Sequence, residues 1–262
     1  MKIDIIAGAR PNFIKIAPVI SQVTKYSKIG YNISYRLIHT GQHYDKKMSK
    51  IFFEELKIPK PDFNLEVGSG SHADQTSKIM IRYERLLNHI KPDICMVFGD
   101  VNSTLACSIV AKKFNIKIAH VEAGIRSFDL SMPEEINRIV TDSITDYFFT
   151  TSEFANKNLI KSGIEKENIF FVGNTMIDTL NNNIKKFKKP LIFDKIKLSK
   201  KQYLILTLHR PSNVDEVKTL FNLLELIDKN SENLPIIFPI HPRTKSTFNK
   251  NNFLFKNIVT ID

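Results

Sequence analysis

Short apolar runs bounded by Gly, Asp or Ser recur along the chain: KIDIIAG at 2–8, ISYRLIHT at 33–40, DICMVFG at 93–99, IKIAHVEAG at 116–124 and YFFTTS at 147–152. Between most of them lie segments whose apolar positions follow a helical period, at 13–26, 45–56, 75–90, 103–114 and 134–144. A continuous β-branched run marks a strand buried on both faces, and amphipathic helices alternating with such runs supply the covers. The pattern therefore predicts a parallel sheet in a Rossmann-like α/β domain. After IFFVGNTMIDTL at 169–180 a second series begins, with strands at 202–210, 235–243 and 257–262 and a helix at 215–228. There the alternation stops, with too few helices to cover both faces of a parallel sheet. The expected organisation is a full domain over 1–175 and an incomplete second domain over 176–262, with a lysine-rich linker at 185–201.

The chain has 262 residues, 42% of them hydrophobic, which is enough for a sizeable core. Nothing approaches the roughly 18 consecutive apolar residues of a membrane span, and the N-terminal MKIDIIAGARPNF turns polar too soon for a secretory signal. A cytoplasmic protein with no membrane partner is expected. Cys95 and Cys107 sit in apolar runs without C-x-x-C spacing, so both read as buried thiols, and with the scattered histidines they form no metal cluster. The net charge of +11 raises the question of nucleic acid. Much of the excess is local, because 185–201 holds eight lysines and one acid. Like charges in a block repel and stay hydrated. With no aromatic RNA-binding motif and no helix-turn-helix pattern, a solvated linker is expected and no nucleic-acid partner, while the basic field would attract an anionic metabolite.

In open α/β sheets ligands bind beyond the carboxyl ends of the strands, so the residues after each strand carry the chemistry. After the first strand, GARPNFIKIAP offers Arg10 and Lys15 at a helix start, which favours a phosphate. The turn GDVNST holds Asp100, which reads as functional or as a helix cap. HVEAGIRSFDLSMPEEINRIV at 120–140 holds four carboxylates and two arginines. Glu122 follows a strand, and Glu134 and Glu135 open a helix behind Pro133, where acids complement the helix dipole. Arg138, four residues after Glu134, can pair with it on one helix face. Asp100, Glu122 and Glu134 can thus converge on one cleft, where like charges separate a proton acceptor from a donor. Farther on, LTLHRPSNV brings His209, Arg210 and Asn213, and PIHPRT brings His241 and Arg243, after two strands of one sheet. A ligand in an interdomain cleft accounts for two such clusters.

Taken together, GARPNFIKIAP, TGQHYD, GDVNST, HVEAGIRS, MPEEINR, VGNTMID and LHRPSN resemble the UDP-N-acetylglucosamine 2-epimerase family, in its non-hydrolysing bacterial branch. The resemblance implies a GT-B fold of two Rossmann-like domains, the second incomplete here, with on the order of 100 residues missing by ordinary domain size. It implies an isomerase that interconverts UDP-GlcNAc and UDP-ManNAc for surface polysaccharide precursors. UDP leaves in an anti elimination to 2-acetamidoglucal and then adds back, with no cofactor and no metal. The roles it carries over are acid/base chemistry for Asp100, Glu122 and Glu134, and diphosphate contact for His209. Arg10, Lys15 and Arg138 are implied to hold the nucleotide sugar or the carboxylates, with Arg210, Asn213 and Arg243 beside them. A homodimer is implied as well. The family members activated by a second UDP-GlcNAc carry a further glutamine after the QH pair, where this chain has Tyr44, Asp45 and Lys46. The alternatives are a weakly active remnant of such an enzyme and an epimerase for a modified UDP-sugar.

Overall fold

The computed structural model describes residues 1–41, 53–251 and 253–261. The TGQHYD motif beyond Gly41 and most of the helix expected at 45–56 fall outside the described residues. The chain divides into two compact units, Met1–Lys186 and Phe187–Asp262.

The first unit runs β1 (Lys2–Ala7), α1 (Arg10–Lys28), β2 (Ser34–His39), β3 (Phe63–Asn64), α2 (His72–His89), β4 (Ile94–Phe98) and α3 (Asn102–Lys113). It continues with β5 (Lys117–Val121), α4 (Pro133–Ile144), β6 (Tyr147–Thr150), α5 (Glu153–Lys161), β7 (Ile169–Phe171) and α6 (Thr175–Asn183). Its described strands form one parallel sheet in the order β3-β2-β1-β4-β5-β6-β7. The chain steps outward from β1 to β3 and then crosses to β4 on the other side. The strand order therefore reverses between β1 and β4, which is where such sheets bind ligands.

Alternate residues of each strand feed opposite layers. Ile3, Ile5 and Ala7 of β1 pack with Phe13, Ile16 and Ile20 of α1. Ile6 joins Ile79 and Leu87 of α2 and Val110 of α3 on the other face. Each fully buried side chain of this size stabilises the fold by roughly 1.5–3 kcal/mol. Cys95 and Cys107 are free and fully buried in the second layer, and burial pushes the Cys95 thiol up to about 12, so it stays protonated and inert. One charged pair interrupts that layer. Asp4 accepts from Arg36 Nε and Nη2 at 2.6 and 2.8 Å and from the Tyr83 hydroxyl at 3.0 Å, and its pKa is raised by burial, which outweighs these bonds.

Helix α6 packs on α1, with the Thr179 hydroxyl donating to the Ile14 carbonyl at 2.6 Å. The contact ties α6 to the first unit, so the division falls after Lys186 and not at the expected 175. The lysine-rich segment carries short helical turns at Ile184–Lys186 and Ile192–Lys195.

The second unit holds β8 (Leu204–Ile205), α7 (Val217–Lys229), β9 (Ile236–Pro239), α8 (Pro242–Lys250) and β10 (Ile258–Ile261). Its parallel sheet has the order β10-β9-β8. Val214, Leu220, Leu224 and Phe238 form the core, with Phe248 and Phe253 packed against it. Where the sequence predicts a strand over 202–210, only Leu204 and Ile205 pair with β9. Both are exposed, while beyond them the Leu206 N–H still donates to the Ile237 carbonyl at 2.9 Å and Leu206 and Leu208 pack against the core without further strand pairing. Among the described residues no helix is long and apolar enough to cross a membrane.

Candidate active site

The turn after β1 is tied to the end of β4 by Asn12. Its Oδ1 accepts from the Gly8 and Ala9 N–H groups at 3.0 and 2.9 Å, while its Nδ2 donates to the Phe98 carbonyl at 3.0 Å. One turn further along α1, Lys15 is nearly buried and forms an ion pair with Glu122 at the end of β5. The ammonium lies over Gly99, where an added Cβ would stand 2.9 Å from Nζ. Gly99 also has φ +65°, a left-handed conformation that favours glycine, while the Lys15 ammonium, at the end of a flexible side chain, could give way to a Cβ.

Strands β4 and β5 are in register at Phe98 and Val121, so Gly99, Asp100 and Glu122 leave the sheet side by side. Glu122 has φ +77°, a left-handed conformation that costs a non-glycine residue about 1–2 kcal/mol. Its N–H and that of Ala123 both donate to the Phe149 carbonyl, at 2.8 and 3.1 Å, which holds the strained turn. Such strain clusters at functional sites because surrounding structure must fix it.

Helix α4 presents Glu135, Arg138 and Asp142, spaced i, i+3 and i+7, to these strand ends. Arg138 divides its guanidinium between Asp100, at 2.5 Å, and Glu135, at 3.0 Å. The ion pair expected with Glu134 is not among the described ones, because the inward-facing Glu135 takes that fork. Burial alone would raise the Glu135 pKa, but hydrogen bonds from the Ser127 N–H, Arg138 and the Phe128 N–H outweigh it and hold the carboxyl below its ordinary value. The loop preceding α4 is thereby fastened to the helix.

Asp142 joins the two site-bearing turns. Its side chain receives His120 Nδ1 at 2.7 Å, Arg126 Nη1 at 2.7 Å and the Gly124 N–H at 3.1 Å. His120 Nε2 donates in turn to the Gly99 carbonyl at 2.9 Å. The buried Asp142 thus fixes the backbone just before Asp100 and just after Glu122. Burial favours its neutral form, yet His120 and Arg126 outweigh that and hold its pKa below the usual carboxylate range.

Asp100 and Glu134 line one hollow of about 310 Å³, together with His72, Gln75, Asn102 and Asn137. Glu122 is not on that lining; it lies one strand over, against Lys15. The first unit also has a wider groove of about 870 Å³ beside α1, lined by Lys25, Lys28, Tyr35 and Lys186 among others, which holds none of the three carboxylates. Chemistry, not size, therefore selects the smaller hollow. Among the described residues no three metal-ligating side chains gather.

In the second unit His209, Arg210 and Asn213 follow β8, with His209 and Arg210 exposed. The His209 and His241 rings lie 6.1 Å apart, so the segments after β8 and β9 converge. The side chains of Arg10 and Arg243 lie outside the described residues. Sequence reasoning missed His72, Gln75, Asn137 and the His120–Asp142–Arg126 set. His120 and Arg126 stand inside a quoted motif, but nothing in the spacing announces Asp142 as their partner.

The UDP-N-acetylglucosamine 2-epimerase family model matches residues 28–262. A Methanocaldococcus jannaschii protein named UDP-N-acetylglucosamine 2-epimerase is 45% identical over 272 residues, covering 98% of this chain and 70% of the relative. A crystal structure of the UDP-GlcNAc 2-epimerase from that organism, in complex with UDP-GlcNAc and UDP, superposes with TM-score 0.84 at 44% identity, over all of this chain and 73% of that one. A Pseudomonas aeruginosa protein named UDP-2,3-diacetamido-2,3-dideoxy-D-glucuronate 2-epimerase is 38% identical, covering 95% of this chain and 69% of its own. The match to the solved structure extends over both units, in keeping with the GT-B type of fold implied by the motifs. By sequence and by fold, this chain belongs to the UDP-N-acetylglucosamine 2-epimerase family.

Proposed function

We propose that the protein inverts C2 of UDP-N-acetylglucosamine reversibly, giving UDP-N-acetylmannosamine. The observation that carries the reading is the pair Asp100 and Glu134 on one hollow at the sheet's switch point, with Glu122 ending the adjacent strand. In the forward direction one carboxylate takes the C2 proton. The C2–H electron pair becomes the C1=C2 bond of 2-acetamidoglucal, and UDP leaves C1 with the electrons of the C1–O bond. UDP then adds back to C1 while a second carboxyl group delivers a proton to the opposite face of C2. Asp100, Glu122 and Glu134 share these proton transfers, each worth roughly 10²–10⁴-fold in rate. Arg138 and Lys15, bonded to Asp100 and Glu122, hold two of them in position. His209 contacts the departing diphosphate, with Arg210, Asn213 and Arg243 as further substrate contacts, and Arg10 serves to hold the nucleotide sugar; stabilising the leaving charge is an electrostatic task for fixed donors.

On this reading the enzyme works in the cytoplasm on surface polysaccharide precursors, as a homodimer. Exposed Phe128, Leu130 and Phe154 offer apolar surface for a second copy. Sedimentation as a monomer at assay concentration would remove that last part. The reaction itself is tested by mixing the purified protein with UDP-GlcNAc and following the anomeric protons by NMR. UDP-ManNAc should appear, and the same final ratio should be reached from either sugar. A folded protein that leaves both sugars unchanged would overturn the reading.

The Pseudomonas relative supports a second reading, in which the natural sugar also bears an acetamido group at C3 and a C6 carboxylate. The proton chemistry at C2 is the same. Comparing kcat/KM for the two nucleotide sugars decides between them.

A further inference from the structure

A ladder of amides runs along one wall of the hollow that holds Asp100 and Glu134. Gln75 Nε2 donates to the Gly68 carbonyl at 3.0 Å, which fixes Gln75 Oε1 as an acceptor. Asn102 Nδ2 donates to that oxygen at 2.8 Å, which fixes Asn102 Oδ1 as an acceptor in its turn. Asn137 Nδ2 reinforces this orientation, donating to the Asp100 carbonyl at 2.8 Å and reaching Asn102 Oδ1 at 3.4 Å. Two backbone carbonyls, each able only to accept, thus set the direction of every amide in the ladder.

His72, the first residue of α2, stands at the end of the ladder. Its Nδ1 is 3.3 Å from Asn102 Oδ1, which can only accept, so Nδ1 carries the proton in this contact. In the neutral ring the opposite nitrogen, Nε2, is left with its lone pair. Ser71 caps the helix by accepting from the Asp74 N–H at 3.2 Å, which holds the start of α2 in place. An imidazole whose tautomer is imposed from behind, on the wall of a hollow lined by two acid/base candidates, is built to read a hydrogen-bond donor.

We propose that His72 is a specificity residue whose Nε2 accepts a hydrogen bond from the sugar ring held between Asp100 and Glu134. The donor sits next to the reacting carbon: the C3 hydroxyl or the acetamido N–H on C2. This inference rests on the epimerase reading above and adds to it the group that recognises the sugar as distinct from the nucleotide.

The test uses H72F, which removes the acceptor, and H72Q, which offers an amide oxygen in its place. His72 is exposed, so both variants should melt with the parent. For UDP-GlcNAc, kcat/KM of H72F should fall about 10- to 100-fold, the usual range for a lost hydrogen bond that leaves a polar group unpaired, and H72Q should recover most of the loss. Affinity for UDP alone, measured by titration calorimetry, should stay within about twofold, because the contact is to the sugar. UDP-3-deoxy-GlcNAc and UDP-2-deoxyglucose, which lack the C3 hydroxyl and the C2 acetamido group respectively, separate the two donors. Whichever analogue lacks the contacted group should bind the parent weakly and lose nothing further in H72F. Parent-like kcat/KM in H72F, or an equal loss of UDP affinity, would overturn the proposal. If the parent binds UDP-GlcNAc without turning it over, the epimerase reading fails, and calorimetry with UDP-GlcNAc still decides the role of His72 by the same comparison.

Discussion

Replacing Asp142 with asparagine removes a negative charge from a side chain that is 3% exposed and receives His120, Arg126 and the Gly124 N–H. Truncating one partner of a buried charged network costs about 3–5 kcal/mol, because the remaining charges lose their compensation. The amide keeps the shape and one acceptor, which places D142N near the lower end, at about 3 kcal/mol. For a unit of this size roughly 2–4 °C are lost per kcal/mol, so the first unit should melt about 6–12 °C lower. In urea the midpoint should fall with an unchanged slope. The folded-state pKa of Asp142 is depressed, so its contribution is present above the unfolded value of about 3.9 and is lost as pH falls through the folded value. The gap between parent and D142N should therefore be widest near neutrality and close on acidification below about pH 4. Because Asp142 also fixes the turns bearing Asp100 and Glu122, kcat should drop on the order of 100-fold, the usual penalty for misplacing reacting groups by about 1 Å. D146N is the control. Asp146 holds Lys112, Lys117 and the Ile118 N–H at the amino end of β5, away from the site, so its loss should lower stability and spare turnover. A D142N protein melting within about 2 °C of the parent would refute the reasoning, as would equal losses of turnover in D142N and D146N.

Other perturbations separate chemistry from folding. G99A puts a methyl group 2.9 Å from the Lys15 ammonium, so that group should shift against Glu122 and lower kcat/KM, with a stability loss near about 1 kcal/mol for the positive φ. G124A is the converse. Its Cβ would stand 2.5 Å from the Ala155 carbonyl, which cannot swing away, so about 2–4 kcal/mol of stability should be lost in a urea titration. E122Q keeps the side chain's shape but leaves the nearly buried Lys15 ammonium without its counter-charge, so it should melt below the parent and lower kcat about 100-fold or more if the carboxylate transfers a proton. Near-normal turnover in E122Q would leave Glu122 a purely structural residue.

The parts of the fold that were legible in the chain are those buried on both sides. β1, β2, β4, β5 and β6 each lie within a mainly apolar run, interrupted in β1 and β2 by the buried Asp4–Arg36 pair, because helices cover the sheet. The two-residue strand β3 lacks such a run, whereas β7 at the other sheet edge lies in the apolar run IFFV at 169–172 with Phe170, Phe171 and Val172 exposed. Leu204 and Ile205 show the reverse case, an apolar run that suggests a long strand where only two residues pair. At the site, Asp100 and Glu122 were found because strand ends are where an α/β sheet exposes chemistry. Glu134 and Glu135 could not be told apart as sequence neighbours. Their division of labour depends on which one the helix turns inward, and the structure turns Glu135 in to meet Arg138 and the Ser127 and Phe128 N–H groups. Asp142, His72 and Gln75 were invisible for a related reason. Each matters through a partner far away in the chain, and no local period encodes that.

The central claim is that carboxylates at adjoining strand ends and at the start of α4 remove and return the hydrogen on C2. Running the reaction in heavy water tests it most directly. The UDP-ManNAc formed should carry deuterium at C2, and the recovered UDP-GlcNAc should acquire it as the reaction approaches equilibrium. Epimer that retains its original hydrogen at C2 would contradict the account.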